Sequence, residues 1–515
     1  MIILSAVTNI KPYMTFATII NYYKQNTLRT ILLVALTFRF LAAVFSTGYG
    51  FHDDHFLTIE ISQSWVNGTN YNEWIPDKLH PIVPPQGPSL TYPAIIYLTL
   101  EGCENIGITD PESKMMFGRF LHALFSLLIV FWGYKIIEKL YDKKAAEYAA
   151  WLLAVMWFIP MLSVRNLVEM VCIPFLFWGI WLLISNDKNN LFKYFLAGFI
   201  TAIAFSIRFQ TSTFIAGLGI AVLIKNKFLH TVFFGAGIVF SILLFQALGD
   251  FIVWGYPFAE LQAYVKVNIA NVGYYPDGPW YNFTLLVAGL MIPPLSLMIM
   301  FGFLKDWKKA LIIVLPVMCF FVFHSSFPNK QERFILPAIP FIISVGTASW
   351  YMFYKESKFW QNNRMLHKSL VWFFIVVNTI LLFAMTVSSS KRSRVDAMRY
   401  LSKDRNIKNL VIENSSRESE IVMPVYYLKD QLPHQYFLLQ GNTVEQFYKE
   451  ASKSGMPQYV LFIDGDDLNT RIDNFKKYFP NIKYETTIEP SLLDKIMHQM
   501  NPVNLNFATV IYKIN

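Results

Sequence analysis

The chain has 515 residues, of which 54% are hydrophobic, 17% are aromatic and only 15% are charged. Charged residues make up about 25% of ordinary soluble domains, so this composition excludes a protein that is mainly soluble. The net charge of +9 need not indicate a nucleic-acid partner, and we expect none. Its distribution among the loops instead fits the positive-inside pattern of membrane proteins.

Long apolar segments recur up to residue 388 and predict a polytopic α-helical membrane protein with about eleven transmembrane helices. The stretch 92–107 is short and contains Glu101 and Glu104, so we interpret it as an interfacial or re-entrant helix. The predicted spans are 29–47, 117–136, 146–163, 170–185, 192–207, 210–224, 230–249, 281–303, 310–324, 334–354 and 369–388.

The lysine and arginine residues of the loops predict the orientation, with the N-terminus inside. The loop that contains Asp53 and Asp54, the loops 250–280 and 325–333, and everything after residue 388 then share the extracytoplasmic face. We expect a multi-pass protein of the endoplasmic reticulum membrane if the source is eukaryotic. If the source is bacterial, we expect the inner (cytoplasmic) membrane.

From about residue 391 the composition changes to alternating strand-like and helix-like runs, which predict a small soluble α/β domain. The chain is therefore expected to divide into a transmembrane catalytic domain, 1–390, and an extracytoplasmic α/β domain, 391–515. The predicted strands are 410–412, 436–439, 459–463, 484–488 and 508–512, and the predicted helices are 395–401, 443–453 and 468–478.

The first outside loop concentrates ionisable side chains beside a membrane span: His52, Asp53, Asp54, His55 and Glu60. A carboxylate at a membrane surface is well placed to take a proton from a hydroxyl nucleophile. The alternative is a solvated polar loop that only marks the water boundary, since exposed acids are common.

Several cations lie on the outer face, where the positive-inside pattern predicts few: Arg165, Arg208, Lys330 and Arg333. They are either snorkelling side chains at the interface or a site that neutralises a lipid phosphate. We favour the phosphate site, because ionisable groups near the membrane interior are usually functional.

The outer loop after Asp250 is rich in aromatic residues, among them Trp280. Aromatic side chains at this level form interface belts, but they also stack on sugar rings, and the sequence does not separate the two. The three cysteines, Cys103, Cys172 and Cys319, lie in apolar segments and indicate neither a disulfide framework nor a metal site. We expect no metal and no cofactor.

Five motifs in order resemble the polytopic mannosyltransferases of the GT-C superfamily, which use dolichyl-phosphate-mannose to extend N-glycan precursors and glycosylphosphatidylinositol anchors. The first matches a His-Pro-Asp-Glu-x-Phe-Gln-Ser-Leu-Glu element of the first lumenal loop. The resemblance covers about residues 30–345, and its motifs are His52-Asp-Asp-His-Phe-Leu-Thr-Ile-Glu60, Ser89-Leu-Thr-Tyr-Pro-Ala94, Arg119-Phe-Leu-His-Ala-Leu-Phe-Ser126, Pro279-Trp280 and Lys330-Gln-Glu-Arg-Phe334.

The chain departs from the family pattern at several polar positions. Pro88 stands in place of an arginine and Gly278 in place of a histidine, while Asn329 and Gln331 replace the histidine and glutamate beside Lys330. The family element Arg-Thr-Leu-Ser-Asn-Ser-Leu-Glu is reduced to Arg165-Asn-Leu-Val-Glu169. These departures leave the acceptor and the transferred sugar open.

The resemblance implies an inverting glycosyltransferase that transfers mannose, or another hexose, from a polyprenyl-phosphate-sugar donor to a glycan or glycolipid acceptor. Asp53 is expected to deprotonate the acceptor hydroxyl while Asp54 orients or shares the proton. The implied donor-phosphate site contains Lys330, Arg333, Arg208 and Arg165, and the expected acceptor- or sugar-binding residues are His52, His55, Glu60, Tyr92, Asp250 and Trp280.

Two alternatives remain open from the sequence. One is a polytopic lipid or glycolipid transporter without catalytic activity, but a transporter is expected to place ionisable residues near mid-membrane on broken helices in paired halves. The other alternative keeps the reaction class and changes the sugar.

Overall fold

The computed structural model describes residues 23–69, 84–185, 190–271, 278–429, 431–465 and 467–514. Helices occupy every one of the segments predicted as spans. Within the described residues, five helices are long and apolar enough to cross a membrane, or six if one bent pair counts as a single span. A multi-pass helical membrane fold is therefore confirmed, while the number of about eleven crossings stays a prediction.

The helices of the membrane part differ widely in length. They are α1 Thr27–Phe45, α2 His52–Asp54, α3 Ile61–Asn67, α4 Thr91–Asn105, α5 Pro111–Leu140, α6 Lys143–Val155, α7 Ile159–Ser163, α8 Val168–Val171, α9 Ile173–Ile184, α10 Leu191–Ile207, α11 Ser212–Lys225, α12 Phe228–Ile242, α13 Leu248–Trp254, α14 Ala259–Ala270, α15 Asn282–Leu290, α16 Leu295–Lys305, α17 Leu311–Ser326, α18 Ile339–Glu356, α19 Lys358–Asn362 and α20 Arg364–Thr386.

The predicted span 281–303 is not one straight helix. It consists of α15 and α16, whose axes are bent by 119°. Pro293 and Pro294 lie at the break, where they donate no backbone N–H to a continuing helix. The predicted segments 146–163 and 170–185 are likewise interrupted, at residues 156–158 and at Cys172.

Glycines allow α10 and α12 to pack backbone against backbone. A Cβ atom added to Gly198 would lie 2.0 Å from the carbonyl oxygen of Phe234, and one added to Gly237 would lie 2.0 Å from that of Phe195. Small residues permit this close approach, which is a usual source of helix association in membranes.

The C-terminal part contains a mixed five-stranded sheet in the order β2-β1-β3-β5-β4. The strand β1 is parallel to β2 and to β3, whereas β5 is antiparallel to β3 and β4. The elements are α21 Arg392–Leu401, β1 Asn409–Asn414, β2 His434–Leu439, α22 Val444–Ser454, β3 Tyr459–Ile463, α23 Leu468–Lys476, β4 Ile482–Ile488, α24 Leu492–Met500 and β5 Thr509–Ile514.

The two faces of this sheet are buried against different partners. Val460 and Phe462 of β3 pack on α22 and α23 in a core of their own. The neighbouring residues Leu461 and Ile463 point to the other face and join the core that includes the membrane helices. This alternation follows from the two-residue period of a strand. The proposed domain boundary at residues 390 and 391 stays a prediction.

We predict that Gly237→Ala destabilises the protein, because the added methyl group would overlap the Phe195 carbonyl oxygen. Overpacking of this kind costs about 1–3 kcal/mol. The thermal unfolding midpoint of the purified protein in detergent measures the effect. Gly235→Ala in the same helix is the matched control, because its Cβ would meet no atom within 4 Å. Equal midpoints for the two variants would contradict the close approach.

Candidate active site

The loop after α1, which the sequence predicts to lie outside, is helical rather than irregular. After α2 the chain continues as a π-helical turn, His55–Glu60, and then as α3. The Asp54 carboxylate accepts the backbone N–H of Phe51 at 3.0 Å, which fixes the start of this helix. The side chain of Asp53 is 48% exposed, whereas that of Asp54 is 4% exposed. The two adjacent acids therefore have different environments.

Arg333 connects this loop to the segment before α18. Its Nη2 atom lies 2.5 Å from Oδ2 of Asp53, and its Nη1 atom lies 3.9 Å from Oδ1 of Asp54. Its Nε atom lies 3.7 Å from Oε1 of Glu169 at the start of α8. The acid pair and the cationic segment near residue 330 therefore meet at one end of the helix bundle, as the sequence predicted.

Arg208 completes the charged cluster at the end of α10. Its Nη1 atom forms an ion pair with Glu169, which is fully buried. The Arg208 guanidinium lies 5.4 Å from the centre of the Phe334 ring. Glu169 is thus the acid that Arg208 and Arg333 share. We did not predict Glu169 as a site residue, although it matches the final glutamate of the family element.

Three acids and two arginines lie together here, and burial changes the acidity of one of them. Burial raises the pKa of Asp54 well above its usual value, and the negative charge of Glu169 adds to the shift. Arg333 opposes the shift. Asp54 is therefore the carboxyl group of the pair that favours its protonated form.

A cavity of about 320 Å³ opens beside this cluster. Its charged end contains Asp53, Asp54, Glu169, Arg208 and Arg333. Its other walls carry side-chain amides, which donate and accept hydrogen bonds and so suit hydroxyl-rich ligands. These amides are Gln86, Gln210, Asn268, Asn271, Asn329 and Gln331.

Two of the predicted phosphate-binding cations lie outside the lining of this cavity. The ammonium group of Lys330 donates to the carbonyl oxygens of His324, Ser325 and Phe327 at the end of α17. Cations stabilise a helix at this terminus, where the carbonyl groups lack partners.

Arg165 is likewise bonded to the backbone at a junction. Its Nη1 atom donates to the carbonyl oxygens of Thr47, at 2.9 Å, and Gly48, at 2.5 Å. Its Nη2 atom donates to the hydroxyls of Ser46 and Ser390. Arg165 therefore joins the end of α1 to the segment after α20, and the structure does not bring it to the phosphate cluster.

The π-helical turn buries His55 and Glu60 against the C-terminal part. The ring of His55 stacks between those of Tyr49 and Tyr427, at centroid distances of 4.9 and 5.6 Å. Glu60 lies 3.5 Å from His55 Nε2 and accepts the backbone N–H of Tyr426. Neither lines the cavity. They stabilise the turn that follows the acid pair rather than contact a ligand in the cavity.

The exposed His52 stacks on the Phe56 ring at 4.2 Å. The buried hydroxyl of Tyr92 lies 2.6 Å from His122 Nε2. Trp280 is 72% exposed and packs edge-on against Tyr281. The structure does not place these three predicted acceptor- or sugar-binding residues in the cavity lining.

Asp250 is buried behind the cavity wall. It accepts hydrogen bonds from Gln246 Nε2 at 2.9 Å and from the backbone N–H of Glu260 at 3.1 Å. Glu260 in turn accepts the backbone N–H of Gly87, which lines the cavity. Asp250 therefore stabilises the wall, and the structure does not bring it to the ligand-sized space.

Solved structures of other proteins have a similar overall fold. ArnT from Cupriavidus metallidurans, crystallised with undecaprenyl phosphate, aligns with a TM-score of 0.62 and 11% identity, covering 94% of this chain and 98% of that one. The archaeal oligosaccharyltransferase AglB from Archaeoglobus fulgidus aligns with a TM-score of 0.51 and 10% identity, covering 86% and 70%. The chain therefore has a membrane-embedded fold of the GT-C type.

The sequence comparison specifies the family. Residues 30–435 match the Alg9-like mannosyltransferase family. This chain belongs to that family and is a glycosyltransferase. Among curated proteins, Mannosyltransferase APTG1 of Arabidopsis thaliana is 25% identical over an alignment 407 residues long, which covers 73% of this chain and 70% of that protein. The predicted resemblance and the enzymatic class are confirmed, and the transporter alternative is not supported.

We predict that the raised pKa of Asp54 makes the folded protein less stable as pH rises. An acid whose pKa is higher in the folded state holds its proton there more tightly, so stability falls as pH rises from about 4, its unfolded value, toward the raised pKa. Unfolding midpoints of the wild type and of Asp54→Asn are measured in detergent between pH 5 and 8.

We expect the midpoint of the wild type to decrease more steeply with pH than that of Asp54→Asn. The asparagine does not titrate, and its carbonyl oxygen still accepts the Phe51 N–H. Asp473→Asn, at an exposed acid of α23, is the control and should follow the wild type. Parallel curves for the wild type and Asp54→Asn would show that burial does not perturb this group.

Proposed function

We propose that this enzyme is an inverting mannosyltransferase that uses a polyprenyl-phosphate-mannose donor. Its acceptor is a glycan or glycolipid hydroxyl on the extracytoplasmic or lumenal face of the membrane. The observation that carries the proposal is the contact of Arg333 with Asp53 at the mouth of a cavity that also contains Arg208. A candidate base and two candidate phosphate ligands thus share one small space.

The donor assignment draws on the two arginines and on the structural relatives. Arginine presents five N–H donors in a planar fork that fits phosphate oxygens. ArnT is described with undecaprenyl phosphate and AglB with a dolichol-phosphate, and both share this fold. Arg208 and Arg333 are therefore the side chains that we assign to the donor phosphate, while Lys330 and Arg165 support the surrounding backbone.

The reaction follows from the charges in the cavity. The acceptor oxygen attacks C1 of the mannosyl group while the bond from C1 to the phosphate oxygen breaks, and the attack from the opposite side inverts C1. The departing phosphodiester becomes a monoester with one more negative charge. Arg208 and Arg333 stabilise that developing charge.

The two acids then have separate roles. Asp53, half exposed in the cavity, accepts the proton of the acceptor hydroxyl. Asp54, buried and bonded to the Phe51 N–H, keeps the helical turn in place. Glu169 holds Arg208 and lies beside Arg333, so it positions the two cations rather than reacting.

We place the acceptor sugar against the amide-lined walls of the cavity, where Gln86, Asn268 and Asn271 face the space. The domain 391–515 lies on the same side, because Tyr426 and Tyr427 pack on the turn that follows the acid pair. We infer that this domain is extracytoplasmic and stabilises the loop that carries the base.

The direct test incubates membranes that contain the protein with polyprenyl-phosphate-mannose labelled in the sugar, and then identifies the labelled lipid or glycan. Transfer with inversion at C1 supports the proposal. A product that forms only from a nucleotide sugar, or retention at C1, would contradict it.

In this assay we predict that Asp53→Asn inserts and folds normally but loses transfer by about two orders of magnitude or more, the usual scale for a lost general base. The half-exposed side chain can be replaced without leaving a buried charge. The matched control is Asp473→Asn, distant in sequence and exposed, which should keep wild-type turnover. Near wild-type turnover of Asp53→Asn would remove the proposed role.

Two variants, Arg333→Met and Lys330→Met, distinguish the cations assigned to the donor phosphate from those that stabilise the backbone. We predict that Arg333→Met lowers kcat/KM for the donor about ten- to a hundredfold, since a hydrogen bond to a charged group contributes about 1.5–3 kcal/mol. Lys330→Met is expected to lower the unfolding midpoint and leave the donor KM unchanged, because its ammonium group caps a helix. A donor KM raised equally by both variants would contradict this division.

A further inference from the structure

The helix α24, Leu492–Met500, exposes apolar side chains along one face. Leu492 and Met500 are 75% and 77% exposed, Ile496 and Met497 are 45% and 41% exposed, and Val503 in the following turn is 81% exposed. With 100° between successive residues of a helix, Leu492, Ile496, Met497 and Met500 fall within one arc. Contiguous exposed apolar surface of this kind marks an interaction site.

The opposite face of α24 is firmly attached to the rest of the protein. The carboxylate of Asp494 is 3% exposed and accepts the backbone N–H groups of Lys391 and Arg392 at 2.7 and 3.0 Å. His498 packs edge-on against Phe507 with a centroid distance of 4.5 Å. The helix therefore presents its apolar face on a fixed support.

This support lies at the end of the last apolar helix, α20. The hydroxyl of Ser491, which caps α24, donates to the carbonyl oxygen of Ser389 at 2.6 Å. Phe383, in the last turn of α20, and Val387, just after it, are each 55% exposed. Exposed apolar side chains therefore occur both at the end of α20 and on α24, and the hydrogen bond from Ser491 to Ser389 joins the two.

We infer that the apolar face of α24 lies in the boundary between the headgroups and acyl chains of the bilayer. It anchors the C-terminal domain to the outer membrane surface. An amphipathic helix binds membranes in this way, with its apolar side inserted and its polar side toward water. Lys495, 52% exposed and paired with Glu489 at 2.9 Å, lies at the polar edge, from which its ammonium group reaches the headgroups.

Spin labels test the depth of this helix in the full-length protein reconstituted in phospholipid nanodiscs. Met500→Cys is labelled in a variant whose three cysteines are replaced by alanine. Glu450→Cys, exposed on α22, is the matched control. Collisions with oxygen, which concentrates in the bilayer, are compared with collisions with a water-soluble nickel chelate. We expect a several-fold higher oxygen-to-nickel ratio at residue 500 than at residue 450.

Two outcomes would overturn the inference. An equal ratio at both positions would place the face in water. Few collisions with either reagent at residue 500 would show that protein covers it, whether another segment of this chain or a second copy. If the labelled variants do not fold, wild-type protein in nanodiscs that contain a photoreactive acyl-chain lipid tests the same inference. Lipid adducts are expected on 492–503 and not on 444–454, and the absence of adducts on 492–503 would refute the anchor.

Discussion

The ion-pair cluster of Arg333 with Asp53, Asp54 and Glu169 is the interaction on which the arrangement of the site depends. Removing a guanidinium from water is costly, and the cost is recovered only where several opposite charges surround it closely. Arg333 is 11% exposed and has three carboxylates within 4 Å. It therefore fixes the positions of the first loop, α8 and the segment before α18 relative to one another. Loss of Arg333 itself would leave the three acids close together without the cation that they share.

The C-terminal part packs against the helical turn that follows the two acids and so stabilises their position. The π-helical turn that follows Asp54 buries His55 and Glu60 against Tyr426 and Tyr427. Turns of this type are rare and are frequently found at functional sites. The membrane part thus provides the cations and the cavity, while Tyr426 and Tyr427 of the C-terminal part contact the turn that follows the proposed base. This division explains why one continuous core includes residues of both parts.

Much of the fold followed from the sequence because its signals are local. The apolar segments gave helices, and all five predicted strands formed. Five of their ten ends extend one or two residues beyond the prediction, four coincide with it, and β5 begins one residue later. The acid pair and Arg333 were predicted through motifs and do meet. The sequence could not separate the cations, because the role of a lysine or arginine depends on its distant neighbours. Lys330 and Arg165 contact backbone carbonyls, whereas Arg208 and Arg333 face the cavity. The same holds for Asp250, whose partners come from Gln246 and Glu260.

The helix α24 is absent from the predicted elements, although the sequence contains a signal for its start. Ser491 and Asp494 form a capping box. The Ser491 hydroxyl accepts the backbone N–H of Asp494, and the Asp494 carboxylate accepts the backbone N–H of Ser491. The nine residues of the helix are too few for a clear helical period, so no helix is predicted there from the sequence. Yet this segment connects the end of α20 to the sheet domain through Ser389, Lys391 and Arg392. The support of the turn that carries the proposed base therefore extends through Tyr426 and the sheet to α24. If α24 lies in the membrane boundary as we infer, the position of the proposed base relative to the bilayer depends on both ends of that connection.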